Sequence, residues 1–432
     1  MSGRGLDVSV IIPTRDRVDS LRHTLAALAR QAHPAERYEV IVVDDGGTDS
    51  TGHAAASFDV PFPLQVITTG RRAGAGAARN RGSEKAAAPL LLFLDDDIEA
   101  SPGLIAAHVR AHAAGAEVTT GYLPPATGDR SDFFAIALRG WWEAMFASMR
   151  QRGHRYTFRD LLTGNCAIDT DLFRRAGAFD ECLACHEDYE LGIRLIAAGA
   201  RFQFVEDAWG FHHETTTLPR SLSRKRAEGR ADVQIVRKHP GLWPMLPIGW
   251  FDAHPSRRQS VLRRLALQSP PGARMVARLL MEALRAQEPV RLRSRWARTL
   301  NDLLTLAYWQ GVAGTVRGVE ELEQLRRDGT PPAPDVPLFE VELRSGLADV
   351  LRRVDEQRPE GVTVRFAGEL VGTIAPAPGA EPLRGEHLRA SLARELAVAL
   401  VSAMGRAGAV AVTGEAEGIV ASGPLPSDIL HA

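Results

Sequence analysis

The first 125 residues alternate short apolar runs with helical stretches, and this pattern most narrows what the chain can fold into. Runs at residues 8–12, 40–43, 64–68, 90–94 and 118–122 are rich in Val, Ile and Leu and lack polar alternation. Such runs suit strands buried on both faces. Residues 20–31, 50–56, 75–86 and 102–113 read as helices between them. The order predicts an α/β domain around a mostly parallel, Rossmann-like sheet, and ligands of such sheets sit beyond the carboxyl ends of the strands.

Acidic residues cluster at those ends. The second run closes as VIVVDDGGTDST, placing Asp44, Asp45 and a glycine pair just past a buried strand. Carboxylates there can accept hydrogen bonds from a base or ribose, or the segment can be a loop that caps the next helix. The fourth run closes as LLFLDDDIE, and Asp95, Asp96 and Asp97 in succession are costly unless something positive neutralises them. A hard divalent cation, Mg²⁺ or Mn²⁺, fits an all-oxygen set of this kind. Between these lies GRRAGAGAARNRG, where Arg79 and its neighbours near a helix start suit contact with an anion.

Farther along, residues 133–151 and 187–198 read as helices and 201–205 as a strand, and residues 218–329 are mostly helical. The GTPPAPD stretch at 329–335 reads as a linker. Beyond it, strands at 338–342, 362–366 and 370–374 and helices at 345–357 and 385–404 suggest a small α+β module. The expected division is the α/β domain at 1–245, a helical extension at 246–330 and an accessory domain at 331–432.

Charge separates along the same lines. The total is near neutral, with 52 Lys and Arg against 53 Asp and Glu, so nucleic acid is not an expected partner. Residues 220–310 hold 18 basic residues against 6 acidic, whereas 331–432 hold 9 arginines against 14 acids. The basic helices can pack on the α/β domain, pair with the acidic tail, or lie against anionic lipid as a peripheral membrane contact. The longest apolar stretch, 397–412, carries Arg406 and is shorter than the roughly 20 residues of a membrane span. Three cysteines exclude a disulfide framework, and the short apolar run at the start suits a first strand better than a signal peptide. A cytoplasmic location follows as the expectation; packing or pairing within the chain is favoured for the basic helices, and peripheral contact at the inner membrane face is the alternative.

Taken in order, VSVIIPTRDR, VVDDGGTDS, GAARNRG and FLDDD resemble the nucleotide-sugar-binding half of a family 2 glycosyltransferase with the GT-A fold. TGNCAIDTDLFRRAGAFDE and HEDYELGIRL resemble its acceptor half, including the ED motif, and the resemblance covers residues 6–240. It implies that Pro13, Thr14, Asp44 and Asp45 hold the nucleoside, with Arg15 in the donor-binding set. Arg79 would approach the uracil or diphosphate, Asp95 the ribose, and Asp96 would join the donor-binding set. Asp97 would ligate a divalent cation, Mn²⁺ or Mg²⁺, bridging the phosphates. Gly164, Asn165 and Glu187 would lie on the acceptor side, with Asp188 as catalytic base and inversion in a single displacement.

The residues bear on these roles independently. Asp188, Leu191 and Leu195 share a helical stripe, which aims the carboxyl inward, while the helix dipole should hold its pKa down. His212 and His213 follow a strand where the resemblance implies a histidine as a further metal ligand or diphosphate contact; neighbours on an extended segment point to opposite faces, and His213 is favoured with His212 as the alternative. Cys182, Cys185 and His186 match the C-x-x-C-H haem-attachment spacing, but they sit against the ED motif in a chain without an export signal. A zinc site there would need further ligands. Processive synthases of the family carry membrane spans and a Q-x-x-R-W motif; RLRSRWAR has Arg295 and Trp296 but Leu292 in place of glutamine.

The expected activity is therefore transfer of one or few sugars from a nucleoside-diphosphate donor, UDP-linked by default. The acceptor would be a hydroxyl in a glycan, lipid-linked or small molecule, and homodimerisation is compatible with the C-terminal module. A sugar nucleotidyltransferase would need a Gly-rich triphosphate loop where this chain has IIPTRDR. A non-catalytic nucleotide-sugar-binding protein is the other alternative.

Overall fold

The computed structural model describes residues 5–49, 51–126, 132–253, 256–330, 338–412 and 419–421. Of the linker expected at 329–335, Gly329 ends a helix and residues 331–335 lie outside the described residues. The chain divides into two units, one of residues 1–147 and 158–332, the other of residues 148–157 and 333–432.

The first unit is built on β1 (Val8–Thr14), β2 (Tyr38–Asp44), β3 (Leu64–Thr68), β4 (Leu90–Leu94), β5 (Ile98–Ala100), β6 (Val118–Tyr122), β7 (Asn165–Asp169) and β8 (Phe202–His212). They form one eight-stranded sheet in the order β3-β2-β1-β4-β7-β6-β8-β5. The pairs β1/β2, β2/β3, β1/β4 and β6/β8 are parallel, so β1, β2 and β4 end on one edge. β7 runs antiparallel to both β4 and β6. Its sequence, NCAID, is too short and mixed to read as a strand, and its neighbours define it. β4, by contrast, is five consecutive apolar residues, all buried.

The helices of this unit are α1 (Val18–Leu28), α2 (Thr51–Ala56), α3 (Ala75–Ser83), α4 (Leu104–Ala113), α5 (Phe133–Met149), α6 (Thr170–Arg175), α7 (Glu187–Ala197), α8 (Leu218–Lys238), α9 (Pro247–Ala253), α10 (Arg257–Gln268), α11 (Pro270–Gln287), α12 (Arg293–Ala313) and α13 (Val319–Gly329). Phe93 on β4, flanked by Phe173 and Phe179, is fully buried in the core behind the strand ends. Burying a side chain of that size is worth about 1.5–3 kcal/mol. Among the described residues, no helix is long and apolar enough to cross a membrane.

The second unit carries a three-stranded sheet of β9 (Phe339–Glu342), β10 (Val362–Phe366) and β11 (Glu369–Ile374), in the order β11-β10-β9. α14 (Leu347–Gln357), α15 (Gly385–Ala393) and α16 (Ala397–Arg406) cover it. The single helix expected at 385–404 is two, because Leu396 turns inward onto β11 at Gly372, where a Cβ would come within 2.5 Å of its Cδ2. Segment 148–157 belongs to this unit through Arg155, whose Nε donates to the Glu381 carbonyl at 2.7 Å, and Tyr156, whose amide donates to Glu381 Oε1 at 3.1 Å.

Candidate active site

Three acidic residues leave the sheet after β4, and two arginines and one histidine meet them. Arg17, in the loop after β1, donates through Nη1 to Asp96 Oδ1 at 2.7 Å and through Nη2 to Asp97 Oδ2 at 2.9 Å. Thr14 Oγ1 donates to the other oxygen of Asp96 at 2.7 Å. Burial nevertheless pushes the Asp96 carboxyl up to about 7, against the pull of Arg17. Arg17 had no role assigned from the sequence. Its signal was the need of three successive carboxylates for positive partners, which part of the protein itself supplies.

Arg79 joins the two halves of the site. Its guanidinium, on α3 and almost wholly buried, donates to Asp95 Oδ1 and to Glu187 Oε1, both at 2.9 Å. The side chain expected at the nucleotide is thus engaged by two carboxylates 92 residues apart. Gly164 lies beside Asp95: its carbonyl accepts from the Asp95 amide at 3.1 Å, and a Cβ there would stand 3.2 Å from Asp95 Oδ2.

Asp188 follows Glu187 in the first turn of α7, and its Oδ1 accepts from the Tyr189 amide at 2.9 Å. Leu191 and Leu195 of the same stripe are fully buried, as the spacing predicts. The dipole argument gave the wrong sign for the carboxyl. Burial, and then the charge of Glu187, raise its pKa to about 6, with His186, Arg79 and Arg224 opposing.

The Asp-Asp-Gly-Gly segment mostly serves its own loops. Asp45 accepts from the amides of Ala73 at 2.7 Å and Gly74 at 3.0 Å, and Asp44 Oδ1 accepts from the Gly47 amide at 2.9 Å. Gly46 has φ +64°, and a Cβ on it would come within 2.3 Å of the Arg71 backbone, so the close approach there is by the chain itself. Asp16, unassigned from sequence, ties the loop after β1 to the amides of Thr48 and Asp49 at 2.6 and 3.1 Å. Pro13 pairs in register with Val43 beside Thr14. Arg15 lies next to them, its Nε buried without a hydrogen-bond partner.

Two expected positions differ. Asn165 does not face an acceptor space: it is fully buried, its Nδ2 donating to the Ala208 carbonyl at 2.8 Å and its Oδ1 facing His108 Nε2 at 2.9 Å. Both ends of the amide are spent holding β7 to its neighbours, and burial drops the His108 pKa to about 4. The second difference is the histidine. His212, not His213, lies by Asp97, its Nε2 3.5 Å from Oδ1, with Trp142 edge-on to its ring at 5.7 Å. His213 falls on the other face of the extended chain and meets Glu99 at 3.0 Å.

Among the described residues no group of three His, Cys, Asp or Glu side chains forms a metal-binding cluster. The donors at Asp97 still fit a divalent cation. Oδ1 is buried and accepts no hydrogen bond, and an imidazole nitrogen stands beside it. The C-x-x-C-H spacing, by contrast, does not gather ligands. His186 is bonded to Asp232 at 2.8 Å, Cys182 is exposed, and burial pushes the Cys185 thiol up to about 12.

Residues 9–177 match the family model Glycosyl transferase family 2. Over those residues the chain resembles the family 2 glycosyltransferases. Validoxylamine A glucosyltransferase of Streptomyces hygroscopicus subsp. jinggangensis is 32% identical over 276 residues, covering 55% of this chain and 62% of that protein. Glycosyltransferase AglE of Haloferax volcanii is 27% identical over 233 residues, covering 53% of this chain and 73% of that protein. The chain thus spans less than two thirds of the length of its Streptomyces relative. Among solved structures, the mannosyltransferase PcManGT from Pyrobaculum calidifontis, in complex with GDP-Man and Mn²⁺, is 19% identical with a TM-score of 0.48. That likeness covers 71% of this chain and 87% of that one. The matched residues span β1 to β7 and include the Asp95–Asp97 run.

Proposed function

We propose that this chain transfers a single sugar from a nucleoside-diphosphate donor, UDP-linked by default, to an acceptor hydroxyl, with inversion. The observation that carries this reading is the Arg79 bridge. It sets the carboxylates after β4, where family 2 domains hold donor, beside the first turn of α7, where Asp188 can take the acceptor's proton. Asp97 and His212 are the residues that would hold a divalent cation, Mn²⁺ or Mg²⁺. When bound, that cation supplies Lewis-acid stabilisation of the departing diphosphate.

The chain's own groups do the rest. Arg79 fixes Asp95 and Glu187 in place, and Arg17 fixes Asp96 and Asp97, so the carboxylates need no reorganisation when donor enters. Asp188, half-buried with its pKa raised to about 6, is a stronger base than an exposed carboxylate yet is ionised at neutral pH. A base so placed is worth about 10²–10⁴ in rate.

A second contact is proposed for α10 to α12. Met275 and Leu279 share an exposed stripe of α11, 61% and 63% accessible, beside the exposed Arg274 and Arg278. Apolar side chains interleaved with arginine suit the surface of an anionic bilayer.

The decisive experiment incubates the protein with UDP-, GDP- and dTDP-sugars, Mn²⁺ and a panel of hydroxyl acceptors. Release of the nucleoside diphosphate, with transfer or by slow hydrolysis, is the expected outcome. No release from any donor overturns the enzymatic reading, and release of pyrophosphate from a nucleoside triphosphate favours a nucleotidyltransferase.

A further inference from the structure

Behind the first turn of α7 runs a buried chain of polar side chains, distinct from the residues assigned above to the donor. His186, the residue before α7, has a left-handed backbone with φ 57°, a conformation uncommon outside glycine. Its ring stacks on Tyr189 at 4.3 Å and 17°. Its Nδ1 lies 2.8 Å from Asp232 Oδ1 on α8. The second oxygen of Asp232, which is fully buried, accepts from Tyr308 Oη on α12 at 2.5 Å.

The pairing depends on how closely α8 and α12 cross. A Cβ on Gly229 would come within 2.2 Å of the Tyr308 carbonyl, and one on Gly311 within 2.0 Å of the Arg226 carbonyl. Gly229 stands three residues before Asp232 and Gly311 three residues after Tyr308, so each glycine shares a helix face with its polar partner. The helices therefore meet where hydroxyl and carboxylate must meet.

We propose that His186, Asp232 and Tyr308 form a positioning chain for Asp188, by which the two long helices hold the N-terminal turn of α7 and aim its carboxylate. The inference rests on the reading of Asp188 as the base. The groups facing His186 are Asp232 and Glu228 from α8, and Asp188 and Tyr189 on α7, while Tyr308 from α12 is joined to it through Asp232. Those facing Asp188 are Arg79 from α3, Cys166 from β7, Arg224 from α8, and Cys185, His186, Glu187 and Tyr189.

Asp232 keeps the imidazole protonated against its burial, holding its pKa above the usual histidine range. That positive charge in turn holds Asp188 below the value burial alone would give. Loss of the Asp232 charge should leave His186 neutral at pH 7, so Asp188 becomes harder to ionise. The acid limb of the rate profile then moves to higher pH.

Two measurements test this. Histidine ring NMR, with His186 assigned by His186→Gln, should show it titrating above about 6.5 in the wild type and below it in Asp232→Asn. In transfer assays, Asp232→Asn should lower kcat at least tenfold at pH 7, leave donor KM within twofold, and shift the acid limb up by half a pH unit or more. Tyr308→Phe, which keeps the carboxylate charge, should lower kcat without an upward shift. Should Asp232→Asn fail to fold, His186→Gln carries the test, since it also removes the charge and must also move the limb. A uniform loss across pH with an unmoved limb, or a wild-type His186 that titrates at or below its ordinary value, overturns the proposal. Absence of all wild-type turnover would overturn the functional reading and this inference with it; wild-type turnover with an unmoved limb overturns this inference alone.

Discussion

At the scale of the residue, Asp188 shows how position and burial oppose each other. A carboxylate in the first turn of a helix is favoured in its charged form by the dipole. Here burial and the adjacent Glu187 outweigh that and raise its pKa to about 6. Since the base acts deprotonated, transfer should fall as pH drops through about 6, and a kcat–pH profile checks it. Asp188→Asn should lower kcat by about 10²–10⁴ while donor Kd, read by calorimetry, stays nearly constant. The same variant has a stability signature. A carboxyl whose folded pKa exceeds its unfolded value near 3.8 opposes folding above about 6 and has no effect below both values. Asp188→Asn should therefore raise Tm at pH 8 and lose that gain below pH 4. The Asp97 ligand reading gives a separate outcome: Asp97→Ala should abolish the Mn²⁺ dependence of donor binding, and unchanged dependence would contradict it.

Residue roles were legible where one side chain has one obvious need. Three adjacent carboxylates demand positive partners, and the structure provides Arg17, Arg79 and His212 around them. Which arginine served which acid could not be read, because Arg79 and Glu187 are brought together only by the packing of α3 against α7. Asn165 failed for a related reason. An amide at a strand start serves a site or a core equally well until its neighbours are known, and here His108 and Ala208 claim it.

At the scale of the element, apolar runs located β1 to β4 and β6 to within about two residues at their ends, since a strand buried on both faces needs little beyond its own sequence. β7 was missed because it is short and reversed. The break between α15 and α16 was missed because it is imposed by the close contact of Leu396 with Gly372. The crossing of α8 and α12 gives a prediction at this scale. Gly311→Val would force side-chain atoms into the Arg226 carbonyl, where even a Cβ stands at 2.0 Å. A loss of about 1–3 kcal/mol is expected, measurable by urea denaturation.

At the scale of the whole molecule, the near-neutral net charge of -1 conceals a basic set of helices and an acidic second unit. Bilayer contact through α11 predicts co-sedimentation with vesicles of anionic lipid at low salt, loss with neutral lipid, and loss in the Met275→Asp, Leu279→Asp double variant. Failure to bind anionic vesicles at low salt would leave the arginines with a purely intramolecular role. The second unit also takes residues 148–157 from the middle of the chain, anchored by Arg155 and Tyr156 on Glu381.

By itself the sequence determined the α/β class, the strands that end at the site, the run of carboxylates after β4 and the acidic pair that opens α7. These follow from local periodicity and from the cost of burying charge. Only the tertiary structure decided that Arg79 joins the two halves, that His212 rather than His213 lies by Asp97, and that Asp188 has a raised pKa. Each of those depends on which distant side chains share a buried space, and such pairings, unlike periodicity, leave no mark at fixed spacing along the chain.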